Sequence, residues 1–267
     1  MATGVFTLLG TGSSGGVPRV GGDWGACDPD NPRNRRTRCS ALVQRPDGAG
    51  GITNIVIDTS PDLREQLLDA GTQHLDAVVF THDHADQSHG IDDVRPFAIR
   101  QARPIPTYMN AVTRNSLTSR FEYCFRGKGG YPPILAQQND LEPLQPVTIE
   151  GEGGPVTFLP LDMEHGRIRC LGFRIGNLAY CNDVNALPPE TLQALEGVDT
   201  FVVDALRYSR HPSHAHLEQS LEWIREVSPR LAVLTNMHID LDYETLEREL
   251  PDGVVPGYDG LSLEFTL

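Results

Sequence analysis

The chain has 267 residues, 39% of them hydrophobic, and a formal net charge of −14. That length suits one large α/β domain or two small ones, and the apolar fraction is enough to build a core. The acidic balance argues against wrapping long nucleic acid, and no run of 18 apolar residues is present to span a membrane.

The opening MATGVFTLLG lacks a basic region followed by a long apolar one, so no signal peptide is expected. The first half reads as short strands. VFTLLG (5–10), CSALVQ (39–44) and TNIVID (53–58) are apolar and β-branched, with turn residues between them. A helix follows in SPDLREQLLDAG, with Ser60 as the expected N-cap, Pro61 at the first helical position and Gly71 closing the end. DAVVF (76–80) is a buried strand that delivers a histidine run. Residues 97–150 are less regular. AVTRNSLTSRFEYCF reads as a helix and RGKGGYPPI as a loop, so this stretch is expected to be an inserted excursion from the core.

The second half repeats the pattern. VTFLPLDM (156–163), IRCLGFRIG (168–176) and LAYCND (178–183) read as strands, and PPETLQALEG as a helix. TFVVDAL (200–206), the amphipathic helix HLEQSLEWIREV (216–227), LAVLTNM (231–237), the helix DYETLERELP and the strand LSLEFTL complete the chain. Strands first and α/β alternation later, twice over, imply two packed sheets with outer helices in one domain spanning 1–267.

Five cysteines, Cys27, Cys39, Cys124, Cys170 and Cys181, are scattered with no C-x-x-C pair. They suit reduced thiols and a cytoplasmic location better than a disulfide framework. The basic stretch RNRRTR carries Arg33, Arg35, Arg36 and Arg38 and reads either as a solvated loop or as a phosphate contact.

THDHADQSHG (81–90) carries the chemistry. His82 and His84, two apart in extended chain, point the same way, and neutral imidazole is a common ligand for zinc. Asp86 follows, just after a buried strand, where α/β proteins place their ligands. His165, Asp183, Asp204 and Asn236 fall at comparable strand ends.

The chain resembles the metallo-β-lactamase superfamily and, within it, the PhnP-type cyclic phosphodiesterase branch related to tRNase Z. The carrying motifs are LLGTGSSGGVPRVG, IDTSPDLR, THDHADQSHGIDDVR, EHG, LAYCNDVN, DALRYSRHPSH, LTNMHIDLDYETL and PGYDGL. They run in family order over nearly the whole chain. The resemblance implies an αββα sandwich of two mixed sheets and a two-metal site. His82, His84 and His165 match the three histidines of the first metal, Asp183 the carboxylate bridging both, and Asp86 the aspartate of the second. The two remaining family ligands are histidines, but this chain has Gln87 and Asn236 there. Both departures strike the second metal. A divalent metal is therefore expected, with zinc in the first site and manganese or magnesium, or nothing, in the second, because amide oxygens are hard, weak ligands. The relatives' cysteine-rich zinc knuckle is reduced here to Cys27 in GGDWGAC, so no such zinc is expected.

His214 matches the relatives' histidine general acid, with His211 and His216 beside it. With a metal, or a metal and a positioned carboxylate such as Asp86, the implied reaction is hydrolysis of a small phosphodiester, such as a cyclic nucleotide or cyclic ribose phosphate. His89, His211, His216, Arg95 and Arg207 are candidate substrate contacts, the arginines as a phosphate clamp. GTGSSGG either offers backbone N–H groups to a phosphate or forms a tight turn. Asp58 and Asp259 are expected to support ligands rather than bind metal. Fold alone does not fix chemistry. The rival functions are ester or thioester hydrolysis within the same superfamily, and nucleotide binding by a reduced, inactive site. A small phosphorylated substrate, no membrane, no long nucleic acid and a homodimer through the 97–150 region complete the expectations.

Overall fold

The computed structural model describes residues 2–267 and contains two seven-stranded sheets. The first is built from β1 (Thr3–Gly10), β2 (Ser40–Pro46), β3 (Ile52–Ile57), β4 (Ala77–Val79), β5 (Ile105–Tyr108) and β6 (Leu135–Gln137). The last strand, β14 (Ser262–Thr266), closes it in the order 14-1-2-3-4-5-6. The second comprises β7 (Val147–Ile149), β8 (Val156–His165), β9 (Ile168–Ile175), β10 (Leu178–Cys181), β11 (Thr200–Asp204), β12 (Leu231–Thr235) and β13 (Val254–Pro256), in the order 13-12-11-10-9-8-7. Each sheet pairs antiparallel along its β-meander and parallel thereafter. The repeated pattern in the two halves of the sequence is thus a repeated pattern of pairing.

Burial on both faces explains why the central strands read as continuous apolar runs. In β3, Ile55 and Ile57 enter the core between the sheets, while Val56 turns to the helix side. In β11, Val202 faces the other sheet, and Phe201 and Val203 face the helices. Phe6 meets Tyr180 across the gap at 5.4 Å between ring centroids. Each large apolar side chain buried in this way contributes about 1.5–3 kcal/mol.

Outside the first sheet lie α1 (Leu63–Asp69), α3 (Arg95–Gln101) and α4 (Ala111–Arg120), which bury Leu63, Leu67, Phe97 and Leu117. Outside the second lie α6 (Pro189–Ala194), α7 (Leu217–Val227) and α8 (Tyr243–Glu249). The buried stripe of α7, Leu217, Ser220, Trp223 and Ile224, has the 3–4 spacing of an amphipathic helix. The short α2 (Ala85–Ser88) and α5 (Glu122–Arg126) complete the set.

Three sequence expectations are corrected. Helix α1 starts at Leu63 and not at Pro61, because Ser60 turns its hydroxyl to the Asp62 N–H and to Gln66 Oε1 and forms a turn ahead of the helix. The helix expected over 111–125 breaks at Phe121, whose ψ of 40° separates α4 from α5. Residues 97–150 are not an excursion from the core, since they supply β5 and β6 to one sheet and β7 to the other. These strands are only three or four residues long, too short to show a period of two, and β13 escaped notice for the same reason.

Candidate metal centre

The candidate residues gather at one edge of the sandwich, where strands end. Asp58 follows β3, His82 follows β4, His165 ends β8, Asp183 follows β10, Asp204 ends β11 and Asn236 follows β12. Asp58, Asp183 and Asn236 have positive φ, 61°, 54° and 61°. A left-handed residue costs about 1–3 kcal/mol unless its surroundings impose it, and such strain collects at functional sites. Here it turns the chain sharply inward as it leaves a parallel strand.

On one side three imidazoles converge. Ring centroids lie 4.5 Å apart for His82 and His84, 5.1 Å for His82 and His165, and 5.0 Å for His84 and His165. The hydrogen bonds behind the rings set which nitrogen faces inward. Asp58 accepts the Thr81 N–H at 2.8 Å and the Thr81 hydroxyl at 2.7 Å. With its proton thus committed, Thr81 Oγ1 accepts from His82 Nδ1 at 3.0 Å. His165 Nδ1 donates to the Ser213 carbonyl at 2.6 Å. The inward atoms, His82 Nε2 and His165 Nε2, therefore present lone pairs, and His165 Nε2 lies within hydrogen-bond distance of His84 Nδ1, at 3.2 Å. Burial and the neighbouring imidazoles hold His82 well below the usual imidazole range, so it stays neutral.

His82 Nε2 is buried without a hydrogen-bond partner and lies 3.3 Å from Asp183 Oδ2. A lone pair facing a carboxylate oxygen in a dry site is repulsive unless a cation lies between them. The residues fit a divalent metal here: three nitrogens and one carboxylate oxygen, the donor set of a zinc site.

The other side of Asp183 is arranged differently. Asn236 Nδ2 donates to Asp183 Oδ1 at 2.7 Å and to Asp204 Oδ1 at 3.2 Å. Gln87 Nε2 donates to Asp183 Oδ2 at 3.1 Å and to Asp86 Oδ2 at 3.3 Å. His214 Nδ1 lies 2.9 Å from Asp204 Oδ2 and 3.7 Å from Asp183 Oδ1. Burial opposes a charge on His214, but Asp204 and Asp183 lift its pKa to about 9. Asp183, Asp204 and His214 thus also converge closely. The two amides were expected to offer oxygen to a second cation, and the nitrogen of each faces the carboxylates instead.

The remaining candidates are spread more widely. His211 packs its ring 5.1 Å from that of His214. His216 lies at the N-terminus of α7 and lines a surface cleft with His211, Glu218 and Glu222. His89 is exposed and rests on the edge of Phe121. Arg95 pairs with Asp92 at 2.5 Å, and Arg207 bonds the carbonyls of Ser209 and Arg210. Each guanidinium is thus held through Nε and Nη2 by groups of its own neighbourhood. Asp259 receives the N–H and hydroxyl of both Thr11 and Thr37, at 2.6–2.9 Å, and so ties two loops together beneath the site.

Three arginines of the basic stretch have structural partners. Arg36 is buried and donates to the Leu241 carbonyl at 2.8 Å, Arg38 pairs with Asp62, and Arg33 stacks on Tyr243 and Tyr258. The glycine loop is a close chain contact: a Cβ on Gly10 would fall 2.0 Å from the Arg38 carbonyl oxygen. Cys27 packs with Val17 and Ile239.

Asp204, noted in the sequence only as lying near a strand end, is the partner of His214. Its position, the end of a buried parallel strand like that of Asp58 and Asp183, was the available signal. Thr81 and the Ser213 carbonyl left no such trace.

Residues 53–239 match the profile of the beta-lactamase superfamily domain. The chain is 36% identical over 259 residues to an octanoyltransferase of Porphyromonas gingivalis, a match covering 95% of this chain. The chain spans about half the length of that relative (50%). A crystal structure of a diphosphatase from the PhnP family is 34% identical, with a TM-score of 0.88 over 98% of this chain and 97% of its own. Zinc-bound PqqB from Methylobacterium extorquens (17% identity, TM-score 0.71, 97% and 99% covered) shares the fold. So does the short form of human tRNase Z (12%, 0.66, 98% and 100%).

Proposed function

The chain belongs to the beta-lactamase superfamily, and on that premise we propose that it is a metal-dependent hydrolase of a small phosphodiester, such as a cyclic nucleotide or cyclic ribose phosphate. The observation that carries the reading is the bare His82 Nε2 set 3.3 Å from Asp183 Oδ2. The likeness to a PhnP-family diphosphatase along nearly the whole chain supports phosphate chemistry.

His82, His84, His165 and Asp183 would hold the metal, and their donor set suits zinc. When bound, the metal supplies Lewis acidity, acidifying water and polarising a phosphoryl oxygen. The chain's own side chains do the rest. Asp86, partly exposed beside the cluster, accepts the proton of the attacking water. Asp204 fixes His214 through Nδ1, which leaves Nε2 to give a proton to the leaving oxygen. His211 lines the approach to His214 and contacts the substrate.

A second reading, ester or thioester hydrolysis, draws support from the octanoyltransferase relative. The test is a panel of cyclic phosphates, bis(p-nitrophenyl) phosphate and p-nitrophenyl octanoate, run on apo-protein refilled with zinc, manganese or magnesium. Turnover of the phosphates with little on the octanoate is expected. The reverse preference would replace the first reading by the second, and ligand affinity without turnover under any metal would indicate a binding protein.

We further propose a cytoplasmic location and a homodimer. All five cysteines are free, and no helix among the described residues is long and apolar enough to cross a membrane.

A further inference from the structure

We propose that the place of the family's second metal is closed in this chain by a hydrogen-bonded amide clamp, so that the centre holds one ion. The inference rests on reading the histidine cluster as a metal site, but it concerns the far side of Asp183.

A carboxylate that is to serve two cations needs lone pairs free for both. Here Asp183 Oδ1 receives the Asn236 amide at 2.7 Å, and Oδ2 receives the Gln87 amide at 3.1 Å while also facing His82. Asp86 and Asp204, the carboxylates nearest a second cation, are bound by the same two amides, at 3.3 and 3.2 Å. Each amide nitrogen carries two protons and meets two carboxylates, so two neutral side chains supply four donors to three acidic groups. Gln87 and Asn236 are at most 1% exposed, so water does not compete for these bonds.

The orientation follows from charge. Turning either amide over would place its carbonyl oxygen against two carboxylates, acceptor against acceptor, in a site of low dielectric. Gln87 Oε1 does pay for the observed orientation, because it is buried without a partner. That costs about 1–3 kcal/mol, less than setting the same oxygen against Asp86 and Asp183. His214 completes the closure by holding Asp204 Oδ2. A second cation would have to displace these donors and would gain neutral amide oxygens in place of the imidazoles found in relatives. Manganese and magnesium, admitted by the sequence as hard-ion alternatives, are disfavoured on the same ground.

The test counts ions and not turnover. The purified chain, equilibrated with excess zinc or manganese and then desalted, is weighed by native mass spectrometry and assayed for metal. One ion per chain is expected with either metal, and two ions in the variant Gln87→His plus Asn236→His. Two tightly held ions in the unmodified chain would overturn the clamp while leaving the histidine site intact. No ion at all would overturn the histidine site itself. A folded double variant that still holds one ion would show that the amides are not what closes the site. Should that variant fail to fold by circular dichroism, Asn236→Asp takes its place. It keeps the shape and removes the donor, and it should gain a manganese ion that the unmodified chain lacks.

Discussion

Two halves of one site meet at Asp183, and they treat their polar atoms in opposite ways. On the histidine half, hydrogen bonds behind the rings, through Thr81 to Asp58 and from His165 to Ser213, turn lone pairs inward, and His82 Nε2 is left without a partner. On the amide half, the hydrogen bonds lie within the site, and each carboxylate already has an N–H facing it. Both halves draw on buried residues at strand ends, His165 and Asp183 on one side and Asp204 and Asn236 on the other. The difference shows that a list of ligand types does not define a metal site. What defines it is whether the surroundings leave lone pairs that only a cation can satisfy.

The largest expected effect breaks the histidine half. His82→Ala or His84→Ala should lower the ion count from one to zero and abolish hydrolysis, while Gln87→Ala should leave the first ion in place. Retention of full metal content in either histidine variant would contradict the assignment.

Next in size is the amide half's effect on chemistry. His214→Ala should lower turnover by about 10²–10⁴-fold, the usual share of a general acid. Its ion count should stay at that of the unmodified chain. The loss should shrink for p-nitrophenolate, which leaves without a proton; an equal loss for every leaving group would make His214 a binding residue.

A smaller effect tests the relay behind His82. Thr81→Val keeps the shape but removes the hydroxyl that links Asp58 to His82 Nδ1. Zinc affinity should fall about 10–100-fold, the usual cost of losing such a partner, as read by competition with a chelating dye. Unchanged affinity would mean that packing alone orients the ring.

The same contrast explains what could be read in advance. The histidine half was legible because its ligands are rare residue types at a tight spacing, His82, His84 and Asp86, behind an unmistakable buried strand. The two-sheet fold was legible for a related reason, since β3, β8, β11 and β12 are long enough to show apolar runs. The amide half was legible only as a departure. Sequence located Gln87 and Asn236, but which end of an amide faces a carboxylate depends on neighbours from β10 and β11 brought in by folding. Asp204 stayed without a role until its distance to His214 could be measured. The arginines were ambiguous because a guanidinium looks the same in sequence whether it awaits phosphate or, as Arg36 does, holds its own backbone.

The smallest effect concerns the frame of the amide half alone. Asp242 caps α8 by accepting the Thr245 N–H at 2.9 Å, and its other oxygen accepts the Asn34 amide at 2.7 Å and the Asp28 N–H at 3.2 Å. It thereby latches the segment after Asn236 to the loop carrying Arg36. Partial burial works against its charge, but the donors prevail and lower its pKa to about 2. Because the folded value lies below the unfolded 3.8, this stabilisation is present above about pH 4 and is lost as pH falls towards 2. Asp242→Ala should cost about 1 kcal/mol, as the loss of an N-cap does, seen as a lower urea midpoint at pH 7. Asp242→Asn should keep much of the cap while flattening the loss of stability between pH 4 and 2. Neither variant should weaken zinc binding at pH 7, because Thr81, Asp58 and Ser213 hold the histidines without this latch. A zinc affinity that fell along with the urea midpoint would show that the two halves share one frame.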